Sequence, residues 1–175
     1  CLREDNVETS FLFETVGVPS GIAMIAVQAD GDNSIVVSPG ANARLTPEDV
    51  ENILFLDTAT VVLTQSEIPI ETVVATGRST SGTFVWNPAP APEEIVSLEL
   101  LDVVDVLVPN QTELSLLAAT GPIDSVDKAI SAAQTLPCAS VVVTLGADGA
   151  VVIANNDVMH VPAPVVTPVD TTGAG

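Results

Sequence analysis

The chain has 175 residues, enough for one domain with a substantial core, and 47% of them are hydrophobic, which argues against disorder. Its 23 acidic residues against 4 Lys and Arg give a formal net charge of -19. That charge repels nucleic acid phosphates and anionic lipid headgroups, so the sequence predicts neither as a partner.

The basic side chains are too few to build a basic patch, since they are scattered along the chain as Arg3, Arg44, Arg78 and Lys128. An anionic ligand must therefore be held by backbone N–H groups, helix dipoles or a bound cation. We interpret the acidity as a solvated surface. Adaptation to high salt is the alternative, which the near absence of Lys favours.

Cysteine spacing and the chain ends indicate an intracellular internal piece of a protein. Cys1 and Cys138 have no metal-ligand spacing and are interpreted as buried or incidental thiols. No signal sequence follows the first residue, and the apolar stretch 21–29 is too short to span a bilayer, so we expect a cytoplasmic protein. The first residue is not Met and the last residues stop inside a motif, so both ends read as cut.

The first predicted elements are a hairpin and a helix. Apolar runs at 21–27 and 33–39 flank an Asp-Gly turn signal, which predicts an antiparallel pair. This pair should belong to a small sheet, about residues 15–42, attached to a larger body. A helix is predicted over 46–54, with Thr46 at its N-cap and Pro47 at its first position.

From about residue 59 to the end, short β-branched runs alternate with helical patterns. That alternation predicts an α/β body with a mostly parallel sheet and helices on both faces, and the first strand should be buried. The predicted strands are 59–65, 82–88, 104–110, 140–146, 149–155 and 158–164, and the predicted helices are 68–78 (ending near Gly77), 92–102, 111–121 and 125–136.

Polar residues at the predicted strand ends mark the candidate site, because parallel β-α-β units bind ligands beyond the carboxyl ends of their strands. They are Glu67, Asn87, Asn110 and Thr144. Glu113 lies one helical turn after Asn110, so the two side chains point the same way. They either order a water shell around Mg²⁺ or form an Asn-x-x-Glu helix cap, and the pattern alone favours the cap.

Two glycine-containing turns are further candidates. The turn at 144–149 is ordinary turn chemistry by its spacing, although its backbone would suit a nucleotide. The Asp-Thr-Thr-Gly-Ala-Gly run at 170–175 would aim free N–H groups at an anion if a helix starts there. The lone His160 falls in an apolar strand pattern and is interpreted as structural.

Five sequence motifs, taken in their order along the chain, resemble those of the ribokinase-like (PfkB) carbohydrate kinases, and the resemblance covers nearly the whole chain. The family signature D-T-x-G-A-G-D is matched at 170–175 except for its final Asp. The other matches are VPNQTE at 108–113, VTLGADG at 143–149, DNSIVVSPGAN at 32–42 and NPAPA at 87–91.

The resemblance implies a ribokinase-like α/β fold whose small β-sheet forms a lid over the sugar and pairs with a second subunit as a homodimer. It also implies ATP-dependent phosphorylation of a sugar hydroxyl, with D-ribose converted to D-ribose 5-phosphate. Fructose, ketodeoxygluconate or a nucleoside is the alternative substrate. A non-catalytic relative that binds sugar or nucleotide is the alternative function, and a purely structural α/β domain is the least favoured.

Carried over by position, the resemblance assigns a role to each matched residue. Glu67 would contact the sugar, Asn110 the ATP phosphates, and Glu113 the Mg²⁺ ion through water. Asp170 and the Thr172 carbonyl would hold a monovalent cation, K⁺. The remaining residues would line the nucleotide pocket, Thr144, Leu145, Gly146, Ala147, Asp148 and Gly149, or form the anion hole, Gly173, Ala174 and Gly175, the last of which would also touch ATP.

Parts of the family pattern fall outside this chain. The general base of the family is the Asp directly after Gly-Ala-Gly, so it is expected next to Gly175. The Gly-Gly-Lys-type sugar motif, the first strands and the C-terminal helices are also missing. The 175-residue piece is therefore expected to be inactive alone.

Overall fold

The computed structural model describes residues 2–27, 33–92, 98–155 and 157–166. Within these ranges the predicted hairpin is confirmed as strand β1 (Ile22–Val27) paired antiparallel with β2 (Asn33–Ser38), with Ile22 opposite Ser38. Residues 28–32, which hold the predicted turn, lie outside the described ranges. Both faces of this two-stranded sheet expose large apolar side chains, namely Ile22, Met24, Ile25, Val27, Ile35, Val36 and Val37.

Helix α1 (Pro47–Glu51) begins as its sequence predicts. The Thr46 hydroxyl accepts a hydrogen bond from the Asp49 N–H, and the Asp49 carboxylate accepts one from the Thr46 N–H at 2.9 Å. The helix ends three residues earlier than expected. Asn52 directs both its backbone N–H and its side-chain amide to the Glu48 carbonyl, which completes the last turn.

The second sheet has six strands in the order in which they occur in the chain. The first four strands are parallel to one another, as predicted, and the last two add as antiparallel hairpins. The sheet is therefore mostly parallel, and its antiparallel pairing is confined to its last three strands. Its strands are β3 (Val61–Thr64), β4 (Thr83–Trp86), β5 (Val106–Leu107), β6 (Ser140–Thr144), β7 (Ala150–Ala154) and β8 (Asp157–Val161), and the helices of the same body are α2 (Ile70–Ser79), α3 (Leu98–Val103), α4 (Gln111–Leu117) and α5 (Val126–Ala133).

One face of this sheet carries the core. Trp86, Leu107, Val141 and Ile153 are neighbours in register and are all buried. Right-handed crossovers between strands in sequential order bring every connecting helix back to the same side. Helices α2 to α5 accordingly contribute buried side chains to that single core, among them Val73, Leu100, Leu114 and Ala129.

The opposite face of the sheet corrects one expectation from the sequence. The prediction that the first strand is buried was wrong, since Val61 is 57% and Leu63 64% exposed. β3 lies at the edge of the described sheet, so only its Val62 side, which faces the helices, is partly covered.

Gly77 is inside α2 and does not end it. A Cβ atom at this position would lie 2.7 Å from Val103 Cγ2 and 2.9 Å from the Phe84 ring. The glycine therefore permits close approach of α2 to β4 and α3, and the helix continues to Ser79.

Candidate active site

The carboxyl ends of the four parallel strands meet along one edge, and the predicted polar residues follow these ends. Asn87 links three strands there: its N–H donates to the Thr64 carbonyl at 2.9 Å and its Nδ2 donates to the Val108 carbonyl at 2.6 Å. The Gln65 side chain donates to Asn87 Oδ1 at 3.1 Å. Sequence reasoning missed this role of Gln65, because the contact joins residues 22 positions apart.

Glu67 lies at the same edge, exposed, beside a cavity of about 350 Å³. The wall of this cavity includes Val37 and Pro39 from the end of the β1–β2 hairpin and Pro90 from the loop after β4. The Ser66 N–H donates to the Ala89 carbonyl at 3.0 Å, and the Ala89–Pro90 peptide bond is cis. The hairpin and the predicted sugar-contacting carboxylate thus line one cavity.

Asn110 and Glu113 form a reciprocal capping box at the start of α4. Asn110 Oδ1 accepts from the Glu113 N–H at 2.9 Å, and Glu113 Oε2 accepts from the Asn110 N–H at 2.8 Å. Asn110 Nδ2 also donates to Glu113 Oε1 at 2.9 Å. The helix-cap alternative is therefore confirmed as the local geometry, and a ligand role has to coexist with it.

As a whole residue, Glu113 is largely buried, 7% exposed. Burial raises its pKa, because removal from water disfavours the charged form, and the hydrogen bond from the Asn110 backbone opposes that shift. A carboxylate whose two oxygens both accept from Asn110 is poorly placed to be a direct Mg²⁺ ligand. Among the described residues no group of three or more His, Cys, Asp and Glu side chains could hold a metal ion.

The turn after β6 lies next to the Asn110 cap. Asn110 and Thr144 form a parallel β-bridge, and the Thr144 N–H donates to the Pro109 carbonyl at 3.0 Å. The turn itself is a short 3-10 segment, 146–148, between the buried Leu145 and Gly149. The fold thus brings two predicted nucleotide-contacting elements together that lie over thirty residues apart in the chain.

The two glycines of this turn have backbone conformations that L side chains rarely adopt. Gly146 has φ +57° and Gly149 has φ +89°. The Leu145 N–H donates to the Gly149 carbonyl at 2.8 Å and closes the turn, which leaves Gly146, Ala147 and Asp148 exposed. An exposed backbone segment held at both ends is suited to contact a flat ligand such as a nucleobase.

Other predicted site residues fall elsewhere. Asp170 and Thr172, expected to hold K⁺, and residues 173–175, expected to form the anion hole, lie outside the described residues, as does Cys1. Cys138 is partly buried, and burial, reinforced by the negative charge of Asp102, raises the pKa of its thiol to about 11. That thiol is therefore uncharged at neutral pH and unreactive as a nucleophile.

His160, which its sequence context assigned to structure, contacts the candidate site. Its Nε2 lies 2.6 Å from the carbonyl oxygen of Asp148 in the 146–148 turn. The sequence pattern indicates this contact only weakly, because residue 160 comes beside residue 148 only through the antiparallel pairing of β8 with β7.

Comparison with known proteins agrees with this arrangement. The profile of the family described as pfkB family carbohydrate kinase matches residues 1–175. The chain therefore belongs to the pfkB family of carbohydrate kinases, and its fold is the ribokinase-like α/β fold. In the described part of the chain, no helix is long and apolar enough to cross a membrane.

The curated relatives of this chain include a ribokinase and a deoxyribokinase. The chain is 35% identical to a ribokinase of Staphylococcus aureus over 176 residues, which cover 97% of this chain and 57% of the relative. It is 34% identical to a deoxyribokinase of Salmonella typhi, over 99% of this chain and 58% of that protein. It thus spans just over half the length of these curated relatives.

Among solved structures, the ribokinase of Arabidopsis thaliana complexed with ribose and ATP superposes with a TM-score of 0.71. That likeness covers 90% of this chain and 53% of the plant protein at 30% identity. The site edge described above thus belongs to a fold that holds a sugar and a nucleotide in that relative.

Proposed function

We propose that the complete protein transfers a phosphoryl group from ATP to the hydroxymethyl oxygen of D-ribose and forms D-ribose 5-phosphate. The observation that carries this proposal is the shared edge of β3 to β6. There, Glu67 lines the cavity beside the hairpin, and Asn110 lies next to the Thr144–Gly149 turn. The ribose and ATP of the plant relative support these two ligands.

The proposed roles follow the physical character of each group. Glu67, an exposed carboxylate at the cavity, accepts hydrogen bonds from sugar hydroxyls. Asn110 contacts the phosphates, and the Thr144–Gly149 backbone lines the nucleotide. Phosphoryl transfer depends mostly on positioning and charge stabilisation, so the stiff cap and the closed turn are the kind of scaffold that it requires.

Cations are needed because this chain has few basic side chains with which to neutralise phosphate charge. Mg²⁺ would enter with ATP, and since Glu113 is buried and bonded to Asn110, its part is limited to an ordered water. K⁺ is proposed at Asp170 and the Thr172 carbonyl, beside the anion hole of Gly173–Gly175. The cytoplasm, which supplies ATP, is the proposed location.

The test of substrate is a panel of ribose, deoxyribose, fructose, ketodeoxygluconate and adenosine, assayed with ATP on the full-length gene product. Ribose should give the highest kcat/KM, and omission of Mg²⁺ or K⁺ should lower the rate. Preference for another acceptor would replace ribose in the proposal. Binding of ribose and ATP without turnover would identify a non-catalytic relative.

The role of Glu67 has a matched control in Glu71, an exposed acid one turn further along, in the first turn of α2. Glu67→Gln should raise the KM for ribose roughly tenfold, as expected for loss of a hydrogen bond to a charged group. Its KM for ATP should stay unchanged, and Glu71→Gln should change neither constant. Equal effects of the two variants would remove Glu67 from the sugar site.

We further propose that the hairpin lid mediates a homodimer. Val37 on one face lines the Glu67 cavity, while Ile22, Met24 and Val36 on the other face are 58%, 65% and 62% exposed. Exposed apolar surface on a thin sheet favours burial against a partner. Sedimentation of the full-length protein at micromolar concentration should show a dimer, and a monomer would contradict this assembly.

A further inference from the structure

Strand β8 and the residues that follow it contact the turn at 146–148 and Gly149 in two places, and the first of these contacts is a hydrogen bond. His160 Nε2 lies 2.6 Å from the Asp148 carbonyl oxygen. A carbonyl oxygen can only accept, so Nε2 carries the hydrogen in this contact. The bond joins the exposed tip of the turn to the next-to-last residue of β8, a strand that is itself fixed by its pairing with β7, where His160 lies opposite Val151.

A second contact lies one residue further along both segments. At Gly149, with φ +89°, a Cβ atom would lie 2.0 Å from the Val161 carbonyl oxygen and 2.6 Å from the Ala163 nitrogen. The backbone of the turn therefore rests directly on the chain that leaves β8. Only glycine permits both this approach and this backbone angle.

These contacts leave the exposed part of the turn with fixed ends. Its entrance is anchored by the buried Leu145, which is 3% exposed, and its exit by Gly149 against β8. Inside the turn, the Asp148 N–H donates to the Leu145 carbonyl and the Gly149 N–H to the Gly146 carbonyl, each at 3.1 Å. The His160 contact adds a further constraint at the tip, on the Asp148 carbonyl.

We propose that His160 is a positioning residue, which fixes the Gly146–Asp148 backbone for nucleotide binding by holding the Asp148 carbonyl. The inference rests on the proposed nucleotide role of this turn. A backbone that is already in its binding conformation loses less entropy when the ligand binds. Loss of the His160 contact should therefore weaken the binding of ATP and leave the binding of the sugar unchanged.

The test compares three variants of the full-length protein. His160→Leu removes the donor, His160→Gln keeps an N–H donor, and Met159→Leu is the control on the preceding, exposed position of the same strand. For His160→Leu we expect the KM for ATP to rise about two- to tenfold, the range of one net hydrogen bond, with kcat and the KM for ribose unchanged. His160→Gln should recover most of the loss, and Met159→Leu should match the wild type.

An unchanged KM for ATP in His160→Leu, or an equal rise of both KM values, would overturn the positioning role while the kinase activity stands. A second readout does not need turnover. Hydrogen exchange of the Asp148 and Gly149 amides should be faster in His160→Leu than in the wild type. If the wild type phosphorylates no sugar, the proposed function fails, and unaltered exchange would then refute the contact separately.

Discussion

The described part of the chain contains two capping boxes that differ in burial, so a comparison of the two measures what burial adds to the stability of a helix cap. Thr46 and Asp49 form one box at the start of α1, and Asn110 and Glu113 form the other at the start of α4. Asp49 is exposed, whereas Glu113 is 7% exposed. The same local motif therefore exists in water at one site and near the core at the other.

We predict that Asn110→Ala destabilises the fold far more than Thr46→Ala. Loss of the cap to the Glu113 N–H costs about 1 kcal/mol. Loss of the Nδ2 donor to the Glu113 carboxylate costs about 1.5–3 kcal/mol, the range for bonds to charged groups. Together these give about 2.5–4 kcal/mol. At Thr46, water can replace the lost partner, so less than half of that effect is expected.

The measurement is urea unfolding of the full-length protein, followed by circular dichroism without ligands. The midpoint should fall in both variants with the slope unchanged, since neither alters the surface exposed on unfolding. Equal losses would refute the reasoning, because they would show that burial of the Glu113 carboxylate does not amplify the cost of its lost donor.

Three further predictions concern charge and packing. Because the pKa of Glu113 is raised in the fold, its contribution to stability is present at low pH and is lost as pH rises above its ordinary value of 4.5. The wild type should therefore lose stability relative to Glu113→Gln as the pH rises above 4.5 in urea melts, and parallel curves would contradict this. Gly77→Ala should cost about 1–2 kcal/mol net, since crowding against Val103 and Phe84 outweighs the gain in helix propensity. The measurement is thermal unfolding, and the control is Gly121→Ala, where a Cβ atom would meet nothing within 4 Å. Equal Tm values for the two variants would show that α2 can shift away from Val103 and Phe84. With a net charge of -19, the unfolding midpoint should rise between low and molar KCl, as screening weakens self-repulsion; no gain would leave the acidity as ordinary solvated surface.

Several features of this protein were determined by the sequence alone, because they depend on neighbours in the chain. Thr46 and Pro47 start α1, and Asn110 with Glu113 starts α4, since the atoms that bond are three residues apart. The Asp-Gly signal between apolar runs predicted the β1–β2 pair, and the alternation of strands and helices predicted the mostly parallel sheet. The family motifs also predicted which strand ends carry the candidate site.

Other features required the tertiary structure, because they depend on which distant segments become neighbours. The edge position of β3 exposes Val61 and Leu63 although their run of β-branched residues suits a buried strand. Gly77 reads as a helix end until Phe84 and Val103 are seen against it.

Asn87 likewise becomes a link between three strands only when β4 lies between β3 and β5. His160 shows the same limit most clearly, since its type and pattern indicate a structural strand residue and its partner is a backbone carbonyl. Backbone atoms carry no sequence signature, so a contact with one is decided by strand register and loop path, which only the folded chain fixes.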